Sequence, residues 1–178
     1  MRKNRSYGLV IGLLLVLVLA LTLPLLSACG KKMQYTIGLT QFATHPAADA
    51  GRQGFIAALK DAGYVEGTNV AYDYQNPEGD ATMEQTIAQK FVSEKVDLIF
   101  SFGTRINQQC VHAAEGTNIP VLFCAVTDPV AALLVSSWDH PGENVTGTSD
   151  MIEMGSTVDL ILDIMGNITK LGTIYNAS

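Results

Sequence analysis

Charge is scarce in this chain, and the acidic sign predominates. Only 16% of its 178 residues are Asp, Glu, Lys or Arg, and the formal net charge is −6. Without a basic excess there is no electrostatic footprint for phosphate, so nucleic acid is not an expected partner. Nor is the chain disordered, because 48% of it is hydrophobic. It lacks Gly/Pro low-complexity tracts and internal repeats, which removes fibrous and solenoid architectures. It has no G-x-G-x-x-G and no G-x-x-x-x-G-K-[ST], so no nucleotide cofactor is expected. There is no G-x-S-x-G elbow, and His45, His112 and His140 fall in separate elements. Neither a catalytic nucleophile nor a metal site is therefore expected. The three cysteines, Cys29, Cys110 and Cys124, match no metal or redox spacing.

What the chain does have is an apolar run at one end. Arg2, Lys3 and Arg5 precede an uncharged stretch from Leu9 to Leu26, which ends in Leu26-Ser27-Ala28-Cys29. A basic start, an apolar middle and small residues at the end make a secretory signal over residues 1–28. The tetrapeptide resembles a bacterial lipobox, in which cleavage leaves Cys29 as a lipidated N-terminus. The competing reading is an uncleaved anchor. Eighteen residues reach roughly 27 Å, just short of a hydrocarbon core of about 30 Å, and Pro24 disfavours a regular helix to the last turn. The expected location is exported, held by the lipid on Cys29 to the outer face of the bacterial cell membrane or in the periplasm. Cleavage takes Arg2, Lys3 and Arg5 from the 11 basic residues, leaving 8 against 17 acidic ones, a balance of −9. Cys110 and Cys124 then remain as two buried thiols.

After a tether at residues 29–34, the body alternates strand and helix signals. Tyr35 to Thr40 is a strand, Pro46 opens a helix to Ala62 with Gly51, Phe55, Ala58 and Ala62 on one face, and Thr68 to Gln75 alternates like an edge strand. Asp80 caps a helix to Glu94 carrying Met83, Ile87 and Phe91. Asp97 to Ser101 and Ile119 to Cys124 are continuous apolar runs, as in central parallel strands. Thr104 opens a helix to Glu115 that turns Ile106, Cys110 and Ala113/Ala114 to the sheet. A short helix over Ala131 to Trp138 and a strand near Asn144 to Thr148 follow. Asp150, with Glu153 as capping-box partner, starts a helix to Met165 whose buried stripe is Met154, Val158, Ile161 and Met165. Leu171 to Tyr175 reads as a further strand. The expected fold is an α/β three-layer sandwich with a mostly parallel sheet.

In such sheets ligands sit beyond the carboxyl ends of the strands. The loops there hold Gln41, Phe42, Phe102, Thr104, Arg105, Thr127, Asp128, Ser149 and Asp150. A carboxylate beside hydroxyls and free helix N–H groups can hold a zwitterion: the acid takes the ammonium, and the donors take the carboxylate. Phe42 and Phe102 would cover an apolar or aromatic side chain. Each residue also has a plainer reading. Thr104 and Asp150 suit helix caps, Asp128-Pro129 a turn, and the two rings simple packing.

Gln41-Phe42-x-x-His45-Pro46, Ala125-Val126-Thr127-Asp128-Pro129-Val130, Asn144-Val145-Thr146-Gly147 and Ser149-Asp150 occur in this order. Together they resemble the substrate-binding lipoproteins of ABC transporters, in the group associated with tryptophan, tyrosine and phenylalanine. The resemblance covers residues 35–178. It implies a two-lobed clamshell of the type I periplasmic-binding kind, with an amino acid trapped at the hinge and passed to a permease and its ATPase. The contacts it implies fall on Gln41, Phe42, Thr104, Thr127, Asp128, Ser149 and Asp150. Arg105 departs from the pattern, where a small residue or Pro is usual; it would pair with Asp128 or meet a ligand carboxylate. Ala177 and Glu143 also depart. Members of that family run much longer, so residues 35–170 correspond to the N-terminal lobe and 171–178 to the start of a second. A ligand-sensing or interaction module and an exported α/β enzyme are the alternative functions.

Overall fold

The computed structural model describes residues 34–142 and 144–174. The signal segment, Cys29 and Ala177 lie outside them. The elements, in chain order, are β1 (Tyr35–Gln41), α1 (Pro46–Asp61), β2 (Val70–Gln75), α2 (Ala81–Ser93) and β3 (Leu98–Phe102). They continue with α3 (Thr104–Ala114), β4 (Val121–Cys124), β5 (Val145–Thr148) and α4 (Met154–Met165). The five strands form one sheet in the order β2-β1-β3-β4-β5, and every pairing is parallel. The α/β sandwich expected from the alternation is the fold observed.

Burial explains the placement of each strand. β2, whose residues alternate in polarity, takes the edge, while the apolar β3 and β4 are interior. Phe55, Ile56 and Leu59 of α1 pack one face, against Ile37, Leu39, Val70 and Phe100. On the opposite face Ile87, Phe91, Ile106 and Cys110 of α2 and α3 pack against Ile99, Val121 and Phe123. Local signals set the helix starts. His45 caps α1, its Nδ1 accepting from the Ala47 N–H at 3.2 Å, with Pro46 at the first helical position. Asp80 caps α2 by accepting from the Thr82 and Met83 N–H groups at 2.8 and 2.9 Å.

Several expectations need correction. The inward face of α1 carries Leu59, while Ala58 and Ala62 are exposed. Met83 is exposed, and the buried stripe of α2 contains Glu84 with Ile87, Ala88 and Phe91. Residues 131–138 form turns rather than a helix. Leu133 sits at φ 59°, and the Ser136 and Ser137 hydroxyls donate to the His140 carbonyl, offering the chain local bonds in place of a helical ladder. The last helix starts at Met154, four residues beyond the expected cap, because the Asp150 carboxylate accepts from Thr127 instead. Its Met154, Val158, Ile161 and Met165 stripe is not buried, and Met154 is 74% exposed. Leu171 to Ile174 make no strand pairing.

β1 and α2 pack closely, and a Cβ on Gly38 would lie 2.8 Å from the Phe91 ring. Gly38→Ala should therefore lower stability by about 1–3 kcal/mol through overpacking. Phe91→Ala should cost about 3–5 kcal/mol through the cavity it leaves. Urea unfolding reads both as a lower midpoint at unchanged slope. A Gly38→Ala variant as stable as its parent would mean that α2 does not approach β1 so closely.

Candidate functional site

The strand order reverses at β1. The chain leaves β1 through α1 to reach β2, then crosses back through α2 to β3 on the other side. The crossover helices therefore diverge to opposite faces, and a crevice opens beyond the carboxyl ends of β1 and β3. Residues there fall into two groups joined by the Gly103 N–H, which donates to the Cys124 carbonyl at 3.0 Å.

The first group surrounds β1 and β3. Gln41 is fully buried and its amide is engaged on both sides. Nε2 donates to the Ala43 carbonyl at 2.9 Å and to Asp49 Oδ1 at 3.0 Å, while Oε1 accepts from Arg52 Nε at 3.2 Å. Arg52 also meets Asp49 at 3.3 Å and stacks 4.3 Å above the Tyr74 ring. The Gln41 bond, followed by the Arg52 guanidinium, outweighs burial and holds the Asp49 carboxyl below the usual carboxylate range. Gln41 thus ties β1 to α1. Phe42 is exposed at the crevice mouth. Phe102 is half-buried and turns to α1, where a Cβ at Gly51 would lie 2.7 Å from its ring. Thr104 is exposed at the first position of α3, with Gly103 rather than Thr104 in the capping position. Arg105 does not pair with Asp128. Its Nε and Nη2 reach Glu84 Oε2 and Oε1 at 2.7 and 2.9 Å.

The second group comes from the loops after β4 and β5. Thr127 Oγ1 donates to Asp150 Oδ1 at 3.0 Å, and Ser149 Oγ donates to the Thr127 carbonyl at 2.8 Å. The Met151 N–H closes the knot on Ser149 Oγ at 2.9 Å. Asp128 Oδ1 accepts from the Val130 and Ala131 N–H groups at 3.0 and 2.9 Å, which is the turn reading of Asp128-Pro129. An apolar hollow lined by Trp138, Met151, Ile152 and Met154 adjoins Ser149.

Sequence reasoning missed Glu84, Asp49, Arg52 and Trp138. For Glu84 a signal was available: positions 84, 87, 88 and 91 share one helical face, so an acid stood on an apolar stripe with an unexplained Arg105 elsewhere. Chemically the mouth offers carboxylates, hydroxyls, the N–H groups at the start of α3 and an exposed ring. Those are binding groups. Burial pushes the Cys110 thiol up to about 12, so it stays protonated and unreactive at neutral pH.

A doubly wound parallel sheet with its polar loops gathered at the switch point is the architecture of a small-molecule binding protein. Residues 36–178 match the family model described as ABC transporter substrate binding protein, and the chain belongs to that family. The chain is 44% identical over 148 residues to the tyrosine-binding protein of Clostridioides difficile strain R20291, covering 83% of this chain and 42% of that one. It resembles the ligand-free, open structure of a substrate-binding protein with adhesive properties from Clostridium difficile. Identity there is 44%, the TM-score is 0.68, and 73% of this chain and 43% of that one are covered. A Streptococcus pneumoniae ABC domain in complex with L-Trp is 34% identical with a TM-score of 0.67, over 72% of this chain and 43% of that one. The chain therefore spans less than half the length of these relatives.

The Asp49 cluster makes the acid limb of stability testable. A folded-state pKa below the unfolded one stabilises fully above the unfolded value, about 4, and the effect is lost as pH falls through the folded value. Asp49→Asn should therefore melt below the parent at pH 7, and the gap between the two should narrow as the pH falls below about 4. A gap that stays constant as the pH is lowered through the acid range would remove Asp49 from the ionised network.

Proposed function

We propose that this chain forms the N-terminal lobe, residues 35–170, of an extracytoplasmic lipoprotein that captures an amino acid with an aromatic or apolar side chain and delivers it to an ABC permease and its ATPase. The observation that carries the reading is the Thr127–Asp150–Ser149 knot beside the start of α3, with Phe42 exposed at the same mouth. Asp150 keeps an oxygen beyond the one Thr127 engages, and Asp128 keeps one beyond its turn, so either carboxylate suits an α-ammonium. Thr104, Ser149 and the α3 N–H groups suit the α-carboxylate. Phe42 and the hollow at Trp138 and Met151 suit the side chain, with Phe102 behind them. Relatives named for tyrosine and solved with L-Trp favour the same ligand class.

Residues 1–28 are the signal, 29–34 the lipidated tether, and 171–178 lead into a second lobe that covers the exposed apolar surface of α4. Closure of that lobe would exclude water and strengthen the charged contacts. The 30–178 segment by itself should therefore fold yet bind amino acids poorly.

Calorimetric titration of the full-length protein tests the capture reading. Tyrosine, tryptophan or phenylalanine should bind and aspartate and lysine should not. Asp128→Asn keeps the turn acceptor and removes only charge, so it separates folding from binding. A lost charged hydrogen bond of about 1.5–3 kcal/mol should weaken binding on the order of ten- to a hundredfold, while His112→Ala should leave it unchanged. Equal effects would remove Asp128 from the site. For the anchor, intact mass of the detergent-extracted protein should show acyl chains that Cys29→Ser abolishes.

A further inference from the structure

We propose that Glu84 is a positioning residue for the ligand site, acting through Arg105 and Gly79 on the exposed ring of Phe42; the ligand half of this proposal rests on the amino-acid reading above. Glu84 is fully buried on α2, and both of its oxygens are held by one guanidinium. A carboxylate so enclosed depends on that partner to replace the water it has lost, and the two-point fork fixes the plane of the guanidinium. The Nη2 that meets Glu84 also donates to the Gly79 carbonyl at 2.7 Å. Gly79 in turn gives its N–H to the Phe42 carbonyl at 2.7 Å. The Phe42 N–H donates to the Phe102 carbonyl at 3.2 Å, so the Phe42 backbone is bonded on both sides. From the β3 side, Gly103 stands where a Cβ would lie 3.0 Å from the Phe42 ring.

A second strap runs beside the first. Glu78 accepts from the Thr44 N–H at 3.1 Å, and Asn76 donates to the Thr44 hydroxyl at 3.0 Å. Both straps end on the 76–80 loop, and Arg105 ties that loop back to α2 and α3. The arrangement has a consequence for specificity. With its charge met by Glu84, Arg105 does not act as a free cation that recruits an acidic side chain. It places an aromatic ring instead.

The test uses the full-length protein with Glu84→Gln, Phe42→Ala and the double variant. Without ligand, hydrogen–deuterium exchange over residues 42–45 and 76–80 should quicken in Glu84→Gln, and unchanged exchange there overturns the clamp. With ligand, Glu84→Gln should weaken tyrosine at least fivefold and alanine less than twofold. In the Phe42→Ala background its effect on tyrosine should fall below twofold, since the ring it positions is gone. Equal losses for the two ligands, or in the two backgrounds, overturn the positioning role in favour of general destabilisation. Should Glu84→Gln not fold, Arg105→Lys keeps the cation, loses the fork and should move both readouts in the same direction. A parent protein that binds neither amino acid sinks the amino-acid reading and the ligand half with it, and the exchange measurement then decides the clamp alone.

Discussion

The parallel pairing of β1 with both β2 and β3 is the constraint from which the rest of the molecule follows. A strand paired on both edges and covered on both faces must be nearly all apolar or very small, and β1 supplies Ile37, Gly38, Leu39 and Thr40 at its centre. Because both connections must be right-handed, α1 goes to one face and α2 to the other. The loops that leave the ends of β1 and β3 are thereby forced apart, and the opening at their tips is a product of chain topology. Gly38 belongs to the same constraint, since the Phe91 ring of α2 occupies the space a side chain would take.

That topology also separates the two free thiols. Cys110 lies in the core on the α2/α3 face, and Cys124 packs in the cluster beneath α1 on the other. The sheet stands between them, so Cys110 and Cys124 are not placed to form a disulfide with each other in this fold.

Legibility in the sequence follows the range of the interactions involved. The continuous apolar runs of β3 and β4, the alternation of β2 and the Asp80 cap are local patterns, and each holds in the fold. The Asp150 cap failed because a hydroxyl from a loop 23 residues earlier, Thr127, takes its carboxylate; no local pattern encodes that competition. The turns at 131–138 were misread for a nearer reason. Their apolar content resembles a helix, while Ser136, Ser137 and His140 satisfy the backbone otherwise. Gln41 and Phe102 were placed correctly at strand ends but face α1, since strand alternation decides a residue's face and the loop position does not. The Arg105 partner lay on another helix altogether.

The polar residues at the crevice divide by what already holds them. Gln41, Asp49 and Arg52 satisfy one another, as do Glu84, Arg105 and the Gly79 carbonyl. Arg52 of α1 and Arg105 of α3 are thus matched by carboxylates within the framework. What faces outward is a short set: the hydroxyls and carboxylates of the β4 and β5 loops, the start of α3, and apolar surface at Phe42, Trp138 and Met151. Such a set offers carboxylate and hydroxyl oxygens as acceptors, hydroxyls and helix N–H groups as donors, and apolar surface beside them. Burying any of these groups under a ligand would cost stability unless the ligand supplied a partner for it, so the chemistry of the outward set limits what can be held there.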